Sequence, residues 1–300
     1  MFKGLFDLHF RLQKIENNGD PLTVLNQVVD WELFRPDLEP LRQKERKSNA
    51  GRRPYDLILL FKMLILQSLY NLSDDALEQQ VLDRISFNRF LGLSLSDSVP
   101  DAKTIWLFKE ALNADDRARA LFDKFDAFLR DHEFQARKGQ IVDAAIVQAP
   151  QQRNTREEND RIKKGEAEEV RAGWTPAKAA QKDTDARWTN KNGKSFFGYK
   201  QHDCVDVKHK LVRSYSVTPA NGHDSNEFLG LLAENTSADV YADSAYRSAW
   251  HVAVLEWSGF RGHLQRKGTR GRALTEREKQ GNRTRARIRA RVEHVFGTMR

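Results

Sequence analysis

One cysteine in 300 residues, Cys204, excludes an intramolecular disulfide and any cysteine-rich zinc site. The eight histidines are scattered without tight ligand spacing, so a zinc hydrolase is unsupported. Long hydrophobic runs are missing too. The most apolar stretch, Leu57 to Leu66, contains Lys62 and is too short to span a bilayer. Met1 to Asp7 lacks the apolar core of a secretory signal, so the expected address is cytoplasmic, with no membrane partner. Internal repeats and low-complexity tracts are absent, which sets aside solenoid architectures.

Charge is plentiful. Charged residues make up 31% of the chain, the formal net charge is +8 and the sequence pI is about 9.5, a balance that favours a polyanionic partner. The excess is local: Arg261 to Arg300 holds 13 Lys+Arg against 3 Asp+Glu, and the rest of the chain is near neutral. Solvated charged helices usually mix signs, and this segment is heavily one-sided.

Residues 1–138 read as an all-helical region for DNA binding or assembly. Pro54 suits a helix start, and Tyr55 to Tyr70 is apolar on nearly every face. Ser73 is placed to cap a helix over Asp74 to Ile85, and Asp101 one over Ala102 to Leu112 that carries Lys103. Another helix is expected over Ala114 to Asp131. Short helices joined by tight turns suit a helix-turn-helix reader or a plain packing role equally.

The texture changes at residue 139. Strands are expected over Gln140–Val147, Ser195–Val207, His209–Thr218, Asp239–Asp243 and Phe260–Arg266, with a turn near Val207-Lys208. Helices are expected over Ser225–Asn235, Ser248–Trp257 and from Thr275 onward, with an interruption near Gly281-Asn282. Residues 150–194 are polar and read as an inserted, partly irregular excursion. The order implies an α/β fold with a mixed sheet flanked by helices, and a ribonuclease-H-like arrangement over 139–300 fits it.

Three acidic residues stand out. Asp143 interrupts the β-branched run Gln140 to Val147, and Asp243 closes Val240-Tyr241-Ala242, where an unpaired charge is costly to bury. Glu293 lies on an arginine-rich amphipathic helix beside the apolar seam Ile288, Val292, Val295 and Met299. Arg285, Arg289 and Glu293 form an adjacent stripe on that helix, with Arg300 beyond. Each has a bland alternative: a strand-edge aspartate, a helix cap, an i,i+4 ion pair. Together they suit two hard divalent cations, Mg²⁺ or Mn²⁺, for phosphodiester chemistry, with arginines holding phosphates.

These residues resemble a family, the DDE transposases of bacterial insertion sequences, in the group named after insertion sequence five. The resemblance runs through Gly51-Arg52-Arg53-Pro54-Tyr55-Asp56 to Thr104, Gln148 to Gly165, Lys182 to Thr189, Phe197-Gly198-Tyr199-Lys200, Ala220 to Ser225, Ala242 to Arg247 and Arg291 to Gly297. It implies that Asp143, Asp243 and Glu293 are the metal-binding triad. It also implies binding of terminal inverted repeats in double-stranded DNA, strand cleavage and 3′-hydroxyl strand transfer in a homo-oligomeric complex. In the family the helix of the glutamate carries a Tyr, Arg, Glu and Lys/Arg pattern. Arg289, Glu293 and Arg300 match, whereas Ala286 stands where the tyrosine is expected.

Arg285, Arg289, Arg291, Arg300, Lys103 and Lys200 are the candidate DNA-binding residues, with His223 and Tyr199 as accessory candidates near the site. Trp174 and Trp188 are candidates for stacking on an unpaired base. Family members continue past the glutamate helix, and this chain ends at Arg300. An inactive or truncated copy acting as a DNA-binding repressor is therefore the rival expectation. A stand-alone metal-dependent nuclease is the other.

Overall fold

The computed structural model describes residues 7–42, 54–113, 117–132, 134 and 136–298. Met1 to Phe6, Gly51 to Arg53, Ala114, Met299 and Arg300, singled out above, lie outside the described residues. The chain divides into a helical unit ending at His132 and an α/β unit ending at Thr298.

The helical unit contains α1 (Asp7–Asn17), α2 (Pro21–Val28), α3 (Arg35–Leu38), α4 (Leu57–Tyr70), α5 (Asp74–Asp83), α6 (Ile85–Leu91), α7 (Ala102–Asn113) and α8 (Arg117–Asp131). Asp56, not Pro54, caps α4, accepting from the amides of Ile58 and Leu59. The helix is apolar all round because it is the central element, with Leu57, Leu60, Met63 and Leu66 buried among Leu77, Phe87, Ile105 and Phe108. Ser73 caps α5 as expected, but the run to Ile85 divides at Arg84, whose extended backbone ends α5 and starts α6.

The α/β unit is built on six strands: β1 (Gln140–Gln148), β2 (Arg187–Lys191), β3 (Lys194–Asp206), β4 (Val212–Pro219), β5 (Asp239–Ala242) and β6 (Arg261–Leu264). The sheet is mixed. β3 is antiparallel to β1 on one edge and shares its other edge between β2 and β4, while β1, β5 and β6 run parallel. Where β1 crosses β3, Gly198 at φ +149° leaves no room for a Cβ, which would fall 2.1 Å from the Val147 carbonyl oxygen.

Helices cover both faces. On one, α12 (Ala249–Trp257) and the turns around Phe228 and Leu231 bury Val142, Cys204, Val240 and Leu264. On the other, α13 (Glu276–Arg289) and α14 (Arg291–Thr298) bring Ile288, Val292, Val295 and Phe296 onto Ile141, Val205 and Val207. Alternation along β1 thus sends Ile141 and Asp143 toward α13–α14 and Val142 toward α12.

Several expectations are corrected. Residues 150–194 hold α9 (Arg156–Lys163), α10 (Ala167–Ala172), α11 (Pro176–Ala180) and β2, nucleated by the Thr155/Glu158 capping box and by Pro176 after the Thr175 cap. Ser225–Asn235 is not an α-helix: a 3-10 turn covers Asp224–Asn226, irregular turns follow through Leu231, and the Ser214 hydroxyl donates to the Leu231 carbonyl. The β3–β4 connection runs from Val207 to Leu211, longer than the tight turn expected at Val207-Lys208. The C-terminal helix breaks at Ala290, not near Gly281-Asn282, because α13 caps there and α14 restarts to lay Val292 and Phe296 on the sheet.

Candidate functional site

β1 and β5 pair in parallel through Ile141 and Tyr241. Two residues beyond each of these stand Asp143 and Asp243, so the register sets both carboxylates at one level where the parallel pairing ends. Crevices outside the carboxyl ends of parallel strands are the usual ligand sites of such sheets. Asp143 lies inside β1, its side chain only 13% exposed, and its Oδ1 accepts from the Ala144 amide at 2.9 Å. Asp243 ends its strand as the N-cap of the following 3-10 turn, accepting from the Ala245 amide at 2.7 Å.

Arg289, the last residue of α13, reaches between them. Its Nε lies 3.3 Å from Asp143 Oδ2 and its Nη1 3.8 Å from Asp243 Oδ2, while Nη1 also donates to Gln265 Oε1 at 3.4 Å. The stripe expected on one helix is therefore replaced. With the break at Ala290, Arg289 pairs with the two aspartates, and Glu293 stands exposed in the first turn of α14. Glu293 is close enough to be felt at Asp143. Burial pushes the Asp143 carboxyl up to about 6; Arg289 and the Ala144 amide pull it down, and Asp243 and Glu293 push it up.

A second carboxylate, missed by sequence reasoning, lies directly across the strand. Asp203 is the register partner of Asp143, is fully buried, and accepts from Gln201 Nε2 through both of its oxygens, at 3.1 and 3.0 Å. Burial pushes it up to about 6 as well. The signal was available in His202-Asp203-Cys204-Val205, a charge inside a strand, as at Asp143. The Tyr246 hydroxyl is also buried without a hydrogen-bond partner among the described residues, in the field of Asp143 and Asp243.

Both Asp143 and Asp203 bind a proton more tightly folded (about 6) than at the ordinary carboxylate value of 3.8. Between those values the folded state holds more protons than the unfolded one, so stability falls as pH rises through the window, by at most roughly 3 kcal/mol per group. Urea unfolding across that range should show the decline and should flatten in Asp203→Asn. A rise in stability over the same range would refute the assignment.

Does this pair suit a divalent cation? Its donors are hard oxygens, Asp143 is desolvated, and a guanidinium already stands between the carboxylates as countercharge, so the fit is good for two ligands. Among the described residues no three His, Cys, Asp or Glu side chains are grouped to hold an ion, so Glu293 is a neighbour of the pair and not yet its third member.

The remaining candidates are dispersed. Arg285 is half-buried on α13, and Arg291 donates to the Val207 carbonyl at 2.9 Å. Lys200 is held by Asp224 Oδ1 and the Gly222 carbonyl, each at 2.7 Å, which pins the loop after β4. His223 caps the 3-10 turn there, accepting from the Ser225 amide. The Tyr199 hydroxyl donates to Asp183 and thereby ties the inserted segment to β3. Lys103 is exposed on α7 of the helical unit. Trp174 is built into packing, donating to Glu158 at 2.6 Å beneath Lys178, whereas Trp188 is 53% exposed.

A family model described as transposase DDE domain matches residues 134–300, and one described as Transposase domain (DUF772) matches residues 10–111. No solved structure matches the chain.

Proposed function

The chain belongs to the DDE transposase family, and from that premise we propose that Asp143, Asp243 and Glu293 form its catalytic triad. The reaction is cleavage of DNA at terminal inverted repeats followed by attack of the freed 3′-hydroxyl on target DNA. The observation that carries the reading is the placement of Asp143 and Asp243 at one level of adjacent parallel strands, around a cation. The mixed sheet with α13–α14 behind the first aspartate supports a ribonuclease-H-like assignment, and the motifs around Asp243 and Glu293 support the insertion-sequence-five group.

Asp143 and Asp243 would hold Mg²⁺ or Mn²⁺, joined by Glu293 from α14. Bound there, two ions would polarise the phosphodiester and activate water or a 3′-hydroxyl. The protein's own groups do the rest. Burial of Asp143 keeps water from screening its charge, so that the pair attracts a cation more strongly than surface aspartates would. Arg289 neutralises the carboxylates and, once displaced from them, presents a fork suited to a phosphate. Arg285 and Arg291, with Arg300, would hold the DNA backbone. Lys200 and Asp224 fix the loop carrying His223. Lys103 on α7 would contact DNA from the helical unit, and the working form would be a homo-oligomer in the bacterial cytoplasm.

The test is a labelled duplex carrying the element's own end, incubated with the full chain and Mg²⁺ or Mn²⁺. Metal-dependent nicking at the end, and joining to a target, is the expected result. Binding without cutting would replace this reading with the repressor one, and cutting without preference for the end would replace it with a nuclease.

A further inference from the structure

Between β6 and α13 the chain carries Arg266, Lys267, Arg270 and Arg272, and no acidic residue occurs from Arg261 to Thr275. This segment is ordered by its own bonds. Thr269 and Arg272 exchange backbone hydrogen bonds at 3.0 and 2.9 Å around a turn whose Gly271 takes φ +86°. Asn282 of α13 clamps the start of the segment, accepting from the Arg266 amide at 2.9 Å and donating to its carbonyl at 2.8 Å.

The result is a cleft of about 220 Å³ lined by Arg247, Arg266, Lys267, Thr269, Arg272 and Glu278, among others. At about 30 Å³ per water, roughly seven waters would fill it, room enough for a phosphate group. Glu278 is the single carboxylate in the lining. Its Oε1 is already shared by Arg266 at 2.9 Å and Arg272 at 3.2 Å, while Oε2 serves the Thr275 cap. Among the described residues, Arg247, Lys267 and the adjacent Arg285 have no carboxylate within ion-pair distance. Arg285 is held below its usual range by burial and by the nearness of Arg266 and Arg247. Five cations thus crowd around one carboxylate, an arrangement that disfavours the folded chain unless an anion enters.

The cleft adjoins the carboxylates. Arg247 follows Asp243 by four residues across the Ser244–Tyr246 turn, and Gln265, next to Arg266, bonds the Arg289 that bridges both aspartates.

We propose that Arg247, Arg266, Lys267 and Arg272 cradle a backbone phosphate of the DNA, next to the phosphate attacked at Asp143 and Asp243. This rests on the transposase reading for its ligand, a phosphodiester and not a free phosphate. Arg266 and Arg272 are preset by Glu278, and Arg247 and Lys267 supply the charge that Glu278 does not cancel.

The experiment uses the full chain and its Arg247→Gln/Lys267→Gln variant. Binding of the end-bearing duplex is measured by fluorescence anisotropy in EDTA across a KCl series. Weakened neutralisation of that one phosphate should flatten the slope of log K against log salt by up to about one and weaken binding alike for all sequences. The unliganded variant should melt at or above the parent temperature, because neither side chain pairs internally; a merely structural role would lower it. A single methylphosphonate beside the cleavage position should weaken binding of the parent and not of the variant.

An unchanged slope and affinity would overturn the cradle, and so would inorganic phosphate raising the melting temperature as much as duplex does. If the slope is unchanged while the parent nicks its end, the cradle fails and the transposase reading stands. If the slope flattens but the parent never nicks, the cradle stands and the catalytic reading fails.

Discussion

Asp143→Asn and Asp243→Asn should each abolish metal-dependent nicking, by on the order of a thousandfold or more, and leave duplex binding within about twofold. The expected size follows from losing a ligand of an ion that contributes several kcal/mol of charge stabilisation, where about 4 kcal/mol corresponds to a thousandfold. Binding survives because phosphate contacts come from arginines, which neither change touches. The two variants should differ in stability. Asp143 is pushed to about 6 by burial, so at neutral pH its ionised form costs the fold up to roughly 3 kcal/mol. Asp143→Asn removes that cost at the expense of one ion pair, and should melt at or above the parent. Asp243→Asn, a third exposed, should change the melting temperature little. Retained nicking in either variant would end the triad assignment, and a large loss of stability in Asp143→Asn would end the account of its burial.

Arg289→Met should be the most destabilising single change at the site in the absence of metal. It leaves two carboxylates facing each other without a countercharge. Breaking a fully buried pair costs about 3–5 kcal/mol, and the partial exposure of Asp243 reduces this to about 2–3 kcal/mol. For a unit the size of the α/β unit the melting temperature should fall by roughly 5–10 °C. Saturating Mn²⁺ should then return much of it, since an ion at a hundred times its Kd contributes about 2.7 kcal/mol. The parent should gain less, because Arg289 competes for the same two carboxylates. Differential scanning fluorimetry with and without Mn²⁺ gives both numbers. Equal metal-induced shifts in the two proteins would show that Arg289 does not compete.

Much of this arrangement was legible in the sequence, for identifiable reasons. Asp143 and Asp243 stand out because each lies within or just after a β-branched run, where an unpaired charge is costly to bury, and the parallel register places them together. Caps such as Ser73 and Asp101 are readable because their chemistry is local. What failed was non-local. Nothing near Ala290 marks a break, because it exists to lay Val292 and Phe296 on a sheet whose other residues lie far away in sequence. Asp203 is visible in the sequence as a charge inside a strand, but its place opposite Asp143 exists only through β1–β3 pairing. The helices within 150–194 were hidden by sparse apolar residues: Ile162 and Val170 are buried, with Ala186 beyond them, and the capping box at Thr155 was the better clue.

The break at Ala290 also separates two jobs. α13 is fastened near its middle by the Asn282–Arg266 clamp and ends with Arg289. α14 is fastened independently, by Val292 and Phe296 in the sheet core and by Arg291 on the Val207 carbonyl. In an unbroken helix, retracting the guanidinium by moving its backbone would drag the glutamate along. Here the resident countercharge and the neighbouring acid are mounted on separate supports, so an ion that displaced Arg289 would not have to move Glu293 with it.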